Sequence, residues 1–228
     1  MTARTERFGR WADMSLQALG ITSGYHRNRP VLENVSLEIP PGRLIGLTGP
    51  SGTGKTTLAR ILASLNAPWS GEVRIDGSPV VGTKFSVSAA LRGTVSMLFQ
   101  SPRASTDPRQ TLASIIGQPG DIAGRTIDVV ALAAEVGLTP DLLSRRPHQV
   151  SDGQLQRACL ARSLAQQPKY LICDEATAML DAATTAALIR LIESRATETG
   201  VGVLLISHDR ELLGACCDVV HDLDGIRA

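Results

Sequence analysis

Aromatic residues and net charge are both scarce in this sequence, and each shortage narrows the range of functions. Phenylalanine, tryptophan and tyrosine make up 3% of the 228 residues, which disfavours the aromatic base-stacking surfaces of single-strand nucleic-acid-binding proteins. Basic residues number 23 and acidic residues 22, giving a formal net charge of +1. Proteins that coat nucleic acid are normally strongly basic, so direct binding of nucleic acid is not expected.

Long apolar runs and export signals are missing as well. A membrane-spanning helix needs about 20 consecutive apolar residues, whereas runs such as Val201–Ile206 have only the length of a strand. Residues 1–15 are polar, lack the apolar segment of a secretory signal and are expected to form a flexible end. The four cysteines show no CxxC or other metal-ligand spacing, which indicates small core residues in the reducing cytoplasm.

Alternating strand and helix patterns predict an α/β fold over residues 16–228, organised as a single domain. Short strand patterns open the chain, with a turn expected at Arg29-Pro30. From Tyr170 to Cys216, strands alternate with helices as in βαβ units, which predicts parallel strands. Prolines punctuate short helical stretches in the middle of the chain, and we interpret residues 101–166, approximately, as a helical insertion.

A glycine-rich loop joins a predicted buried strand, Leu44–Thr48, to a helical pattern. Residues 49–56 read GPSGTGKT and match the phosphate-binding pattern GxxxxGK[ST]. Glycines let backbone N–H groups point at phosphate oxygens, Lys55 would reach the β and γ phosphates, and the Thr56 hydroxyl would ligate Mg²⁺. The predicted ATP-binding residues of this region are Gly49, Pro50, Ser51, Gly52, Thr53, Gly54, Lys55, Thr56 and Thr57.

Two acids follow another predicted strand, in the sequence Tyr170-Leu-Ile-Cys-Asp174-Glu175. Carboxylates at the carboxyl end of a strand beside a phosphate loop are well placed to coordinate Mg²⁺ and to polarise an attacking water. We therefore predict that Asp174 holds the magnesium and that Glu175 acts as the general base.

With those two sites placed, the remaining motifs resemble the ATP-binding cassette (ABC) family from about Leu16 to Leu223. Five further positions match the family in order: an adenine-stacking aromatic, the Q-loop glutamine, the signature, the D-loop aspartate and the switch histidine. They are Tyr25, Gln100, the signature residues Ser151, Asp152, Gly153 and Gln154, then Asp181 and His208. The resemblance implies a P-loop NTPase core of mainly parallel sheet, with an N-terminal antiparallel β subdomain and an inserted α-helical subdomain.

The resemblance also implies roles for these residues. Gln100 would contact Mg²⁺, and His208 would bond to the γ-phosphate as a third catalytic residue beside Lys55 and Glu175. Two cassettes, identical or different, would pair head to tail so that Ser151 and Gly153 contact the partner's ATP. This chain departs from the family at Asp152, which replaces a glycine; we expect its side chain to face outward and leave the helix N–H groups free.

The segment Phe99–Arg109, with the sequence FQSPRASTDPR, resembles cassettes that energise peptide and nickel importers. That resemblance implies transmembrane permease subunits, an extracytoplasmic solute-binding protein, and a peripheral location on the cytoplasmic face of the membrane. The alternative is a soluble ABC ATPase associated with nucleic acid or ribosomes. ABC ATPases that act on DNA would need a long coiled coil, and those that act on ribosomes normally have two cassettes in tandem; neither feature is found in this sequence. A small-molecule kinase would need no signature, and a non-hydrolysing regulator would not need Glu175 and His208.

Overall fold

The computed structural model describes residues 14–26, 29–83, 86–88, 90–178 and 180–227. Most of the segment expected to form a flexible end therefore lies outside the described residues. Ordered packing begins before Leu16, because Ser15 is already buried and its carbonyl accepts a hydrogen bond from the Asp76 N–H at 3.0 Å.

Strands and helices alternate through the described residues. The strands are β1 (Leu16–His26), β2 (Arg29–Ile39), β3 (Leu44–Thr48), β4 (Ser70–Ile75), β5 (Ser78–Pro79), β6 (Val95–Leu98), β7 (Tyr170–Asp174), β8 (Gly202–Ile206) and β9 (Val219–Asp222). The α-helices are α1 (Lys55–Leu62), α2 (Leu112–Ala123), α3 (Val129–Glu135), α4 (Asp152–Ala165), α5 (Ala182–Thr199) and α6 (Arg210–Cys216). Short 3₁₀ helices cover Arg103–Ser105, Pro140–Leu142, Pro147–Gln149 and Leu223–Ile226.

Two sheets form the framework, as the resemblance implies. The antiparallel sheet has the strand order β2-β1-β4-β5, and the parallel sheet has the order β6-β7-β8-β3-β9. Between β6 and β7 the described chain contains helices and loops alone, which agrees with the expected helical insertion. The fold class predicted from the sequence is confirmed.

The turn predicted at Arg29-Pro30 is not found in the structure. Both residues belong to β2, where Pro30 pairs with Gly24 of β1. β2 lies at the edge of the antiparallel sheet, and a proline, which lacks an N–H, is tolerated in an edge strand. The connection between β1 and β2 instead falls at residues 27–28, which lie outside the described residues.

The central strands are buried on both faces because each face covers a different core. In β7, Leu171 and Cys173 pack with the helical insertion, whereas Tyr170 and Ile172 pack with the antiparallel sheet and α1. This period-2 division places the parallel sheet between two layers. The expectation of buried cysteines is confirmed for Cys159 and Cys173, while Cys216 and Cys217 are only half-buried.

Candidate functional site

Four neighbouring strands of the parallel sheet end at one edge, and the predicted nucleotide-binding residues lie at or just after their last residues. Gln100 comes after β6, Asp174 and Glu175 after or at the end of β7, His208 after β8, and the phosphate loop after β3. The carboxyl edge of an open parallel sheet is the usual ligand-binding position in α/β proteins. The topology therefore brings together residues that lie more than 150 positions apart in the sequence.

The phosphate loop keeps a conformation that depends on its glycines. Gly49, Gly52 and Gly54 have φ angles of 149°, 81° and 110°. A Cβ atom on Gly54 would lie 2.7 Å from a methyl carbon of Leu32, so this position excludes side chains both by its φ angle and by its close packing.

The loop also holds its own lysine. Lys55 is buried, and its Nζ donates to the carbonyls of Gly49 at 2.7 Å and Pro50 at 2.8 Å. Thr53 Oγ1 donates to the same Pro50 carbonyl at 2.8 Å. The ammonium group thus lies inside the loop, where a phosphate bound to the N–H groups of the loop would meet it.

Asp174 offers an unpaired carboxylate oxygen at the edge. The residue is 2% exposed, and within the described residues its Oδ1 has no hydrogen-bond partner. Burial raises the pKa of this carboxyl, while a hydrogen bond with Thr56 opposes that shift. A buried carboxylate oxygen without a partner, beside a threonine hydroxyl, is a suitable set of ligands for a hard cation such as Mg²⁺.

Glu175 and Gln100 are in direct contact. Gln100 Nε2 donates to Glu175 Oε2 at 2.7 Å, and the Glu175 N–H donates to the Ile206 carbonyl of β8 at 3.0 Å. Glu175 has a φ of 48°, a left-handed conformation that is uncommon outside glycine and is often found at functional sites. Since the Gln100 amide nitrogen faces the glutamate, its amide oxygen remains an acceptor for a cation or water.

His208 is exposed at the carboxyl end of β8. The backbone before it is fixed, because the Ser207 N–H donates to the Leu47 carbonyl of β3 at 3.2 Å. The cap of α6 is Asp209, which accepts from the Leu212 N–H at 2.9 Å. The imidazole thus stands outside the cap, next to the strand that leads into the phosphate loop.

Tyr25 lies near the other side of the phosphate loop. Its side chain is 73% exposed, and its hydroxyl lies 3.3 Å from Thr57 Oγ1 at the start of α1. An exposed aromatic ring beside a phosphate loop is available to stack on a planar base.

The signature residues form the start of α4. Ser151 is the N-cap, its Oγ accepts from the Gln154 N–H at 3.2 Å, and Gln154 Oε1 accepts from the Ser151 N–H at 3.0 Å. This capping box leaves the Ser151 hydroxyl hydrogen available to a further acceptor. Asp152 is half-exposed, and its carboxylate accepts from Arg103 Nε at 2.6 Å; the outward orientation expected from the sequence did not anticipate this ion pair.

The D-loop aspartate caps a different helix and lies in a segment that reaches the signature. Asp181 accepts from the Thr184 N–H at 2.9 Å and from its hydroxyl at 2.7 Å, and these bonds hold the pKa of Asp181 below its usual range. A Cβ on Gly153 would lie 3.2 Å from a methyl carbon of Leu180, next to Asp181. The D-loop and the signature of one chain are therefore in contact.

The comparisons with known proteins agree with this site. Residues 32–178 match the ABC transporter family. The chain belongs to this family. It is 38% identical over 213 residues to the nickel import ATP-binding protein NikE of Escherichia coli K12, covering 91% of this chain and 80% of that protein. NikE of Rhodospirillum rubrum is 38% identical over 202 residues, covering 86% and 73% of the two chains.

Solved structures give the same fold. A dimeric ATP-binding cassette in a post-hydrolysis state with ADP and Pi superposes with a TM-score of 0.81 and 25% identity, over 91% of this chain and 94% of that one. A bacterial Atm1-family ABC exporter with ATP bound gives a TM-score of 0.78 and 29% identity over 93% of this chain and 37% of that one. The chain is thus an ABC-type ATPase. Among its described residues, no helix combines the length and apolar character of a membrane span.

Proposed function

We propose that the cassette binds Mg-ATP at the carboxyl edge of its parallel sheet and closes with a second cassette to drive solute import. The observation that carries this proposal is the convergence at one edge of Lys55, the Gln100–Glu175 pair and the buried Asp174 carboxylate, whose Oδ1 has no hydrogen-bond partner among the described residues. This edge offers phosphate-binding N–H groups, cation ligands and a base within one chain.

Each side chain at the edge has a role that follows from its contacts. Lys55 would exchange its two carbonyl partners for phosphate oxygens. Thr56, Asp174 and the Gln100 amide oxygen would hold Mg²⁺, which would neutralise phosphate charge. Glu175 accepts the proton of the attacking water. His208, free of the α6 cap, donates to a γ-phosphate oxygen.

A second cassette is needed because the signature lies on the insertion side of the molecule rather than at the sheet edge. The Ser151 hydroxyl and the first-turn N–H of Gly153 are presented at an exposed helix start, and such groups bind anions. A pair of cassettes facing head to tail places each signature against the partner's ATP. The dimeric solved cassette bound to ADP and Pi supports the pairing of two cassettes.

The transport role and the substrate class are inferred from the relatives. The NikE proteins are named as nickel import ATP-binding proteins, and the segment FQSPRASTDPR is similar to that of peptide and nickel importers. We infer permease subunits that hold the cassette at the cytoplasmic face of the membrane, and an extracytoplasmic solute-binding protein that selects nickel, a peptide or a related small solute.

The first test measures the mass of the purified Glu175→Gln variant in solution by light scattering, with and without Mg-ATP. Loss of the base should preserve ATP binding and trap the closed pair, so the mass should double only with Mg-ATP. The control adds Lys55→Ala to the same variant, which should remove both ATP binding and the doubling. Normal hydrolysis by Glu175→Gln would contradict the assignment of the base, and binding of ATP without a change in mass would contradict pairing of identical chains.

The substrate class is tested in cells that lack the gene for this chain. Uptake of radioactive nickel and of a labelled dipeptide would be compared after return of the wild-type gene or the Glu175→Gln variant. Restoration of either uptake by the wild-type gene alone supports an importer of that solute. Equal uptake in all strains contradicts both substrate classes.

A further inference from the structure

The segment around Gln100, residues 99–105, is attached to α4 through three of its residues. Gln156 Nε2 donates to the Phe99 carbonyl at 3.2 Å, and Arg162 Nη1 donates to the Ser105 carbonyl at 2.8 Å. The third residue, Arg103, reaches the start of α4. We refer to residues 99–105 as the Q-loop segment.

Arg103 uses three of its nitrogens on the approach to the signature. Nε donates to the Asp152 carboxylate at 2.6 Å, Nη1 to the Pro147 carbonyl at 2.9 Å and Nη2 to the Val150 carbonyl at 3.2 Å. A guanidinium group, with donors in a fixed plane, can make these contacts at the same time, whereas a lysine ammonium cannot match that geometry. One side chain therefore fixes both the backbone before the signature and the only acid within it.

The negative charge of Asp152 opposes anion binding at the start of α4, and Arg103 counters it. A carboxylate in the first turn of a helix is favourable toward the helix dipole, but it repels an anion that approaches the same N–H groups. The Arg103 guanidinium places a positive charge directly on that carboxylate. Both side chains are roughly half-exposed, at 47% and 43%, so the pair remains accessible to an approaching surface.

We propose that Arg103 is a positioning residue that neutralises Asp152 and holds the signature backbone ready for the partner's phosphate. This inference rests on the proposed function, since it assigns the signature to the ATP of a second cassette. Arg103 and Asp152 act as a unit that replaces the glycine usual at this position. Removal of the arginine alone leaves an uncompensated acid at the anion site.

The test is a double-mutant cycle in the Glu175→Gln background, with Mg-ATP-dependent dimerisation followed by light scattering across a concentration series. Arg103→Ala should weaken dimerisation about tenfold, within the range of coupling seen for contacting residues. Asp152→Asn, which keeps the size of the side chain and removes its charge, should restore most of that loss when combined with Arg103→Ala. Arg103→Lys retains the positive charge but lacks the planar set of donors, so its dimerisation affinity should lie between those of the reference protein and Arg103→Ala.

Arg109→Ala is the matched control, because Arg109 pairs with Asp107 in the loop that follows the Q-loop segment and is 88% exposed. It should leave dimerisation unchanged, and all variants should bind ATP as monomers with unaltered affinity. Additive effects of Arg103→Ala and Asp152→Asn, or no effect of Arg103→Ala, would overturn the proposal.

A second measurement tests the role of Arg103 independently of whether the cassette pairs with itself. If the reference protein binds ATP but does not pair with itself, hydrogen exchange of the monomer becomes decisive. Arg103→Ala should then increase exchange at the amides of residues 150–154, and Arg109→Ala should not. Unchanged exchange there would overturn the positioning role, whatever the partner of the cassette is.

Discussion

The carboxyl edge of the parallel sheet and the start of α4 both present groups suited to anions, but they are built in opposite ways. At the sheet edge, Lys55 and Asp174 are 6% and 2% exposed, and four strand ends fix the site from within one chain. At the start of α4, Ser151 is exposed and Asp152 is half-exposed with its charge paired by Arg103.

This difference separates the electrostatic behaviour of the two regions. Buried charges interact strongly and shift each other's protonation, whereas half-exposed charges are screened by water and salt. Substitutions at the sheet edge should therefore have large effects that depend weakly on ionic strength. Substitutions at the start of α4 should have smaller effects that decrease as salt is added.

The largest effect is expected for Lys55→Ala. The ammonium is held by two carbonyls inside the loop, so its loss removes a preorganised positive charge from the loop. ATP hydrolysis, measured as phosphate release, should fall about 10²–10³-fold. Lys169→Ala is the control, because Lys169 pairs with Asp76 on the surface; its activity should match wild type, and equal losses in both variants would contradict a specific role for Lys55.

Asp174→Asn should separate catalysis from stability. Magnesium-dependent hydrolysis should fall about 10²-fold, because an amide is a poorer ligand than a carboxylate for a hard cation. Protons compete with Mg²⁺ for Asp174, and burial raises the pKa of this carboxyl. The wild-type affinity for Mg²⁺ should therefore begin to fall at a higher pH than an ordinary carboxyl would give, and the affinity of Asp174→Asn should not follow that profile.

The same substitution should stabilise the nucleotide-free protein. A carboxyl whose pKa is raised by folding contributes stability below its unfolded pKa, and this contribution is lost as the pH rises through the folded pKa. Asp174→Asn should thus raise the free energy of unfolding at neutral pH by about 1 kcal/mol, measured by urea unfolding without Mg²⁺. Asp181→Asn is the opposite case, because hydrogen bonds lower the pKa of Asp181. A gain in stability in Asp181→Asn would contradict the stabilising role of these hydrogen bonds.

The sheet edge was predictable from sequence because its parts are local. The phosphate loop is contiguous, and each of the other residues directly follows a recognisable strand, so the shared edge of parallel strands brings them together. The strands that the sequence analysis misjudged or missed, β2, β5 and β9, all lie at sheet edges. A turn was expected at Pro30 although an edge strand accepts proline, and the short strands β5 and β9 were not predicted.

The ion pair at the start of α4 could not be predicted in the same way. Arg103 and Asp152 are separated by 49 positions, and neither has a local pattern that identifies the other. In the sequence, Arg103 is one of several charged residues in the segment FQSPRASTDPR. The departure from the family at Asp152 was visible, but its compensation depends on how the insertion folds back on the Q-loop segment.

The smallest effect is expected at Tyr25, which does not fit the contrast between a buried sheet edge and an exposed helix start because it is exposed yet lies beside the phosphate loop. Its ring is 73% exposed, and its hydroxyl contacts Thr57, so stacking on a base and hydrogen bonding to α1 are both available to it. Tyr25→Ala should raise the KM for ATP about fivefold with kcat unchanged, since stacking contributes about 1 kcal/mol to binding.

Tyr25→Phe separates these two contributions, because it keeps the ring and loses the hydroxyl. If stacking is the function, the KM of Tyr25→Phe should stay near that of wild type, and the effect of Tyr25→Ala should change little with salt because the ring carries no charge. A KM for Tyr25→Phe as high as that for Tyr25→Ala would instead assign the effect to the hydrogen bond with Thr57. Tyr25 would then act by positioning α1, and exposure alone would no longer distinguish residues that contact the nucleotide from those that support the loop.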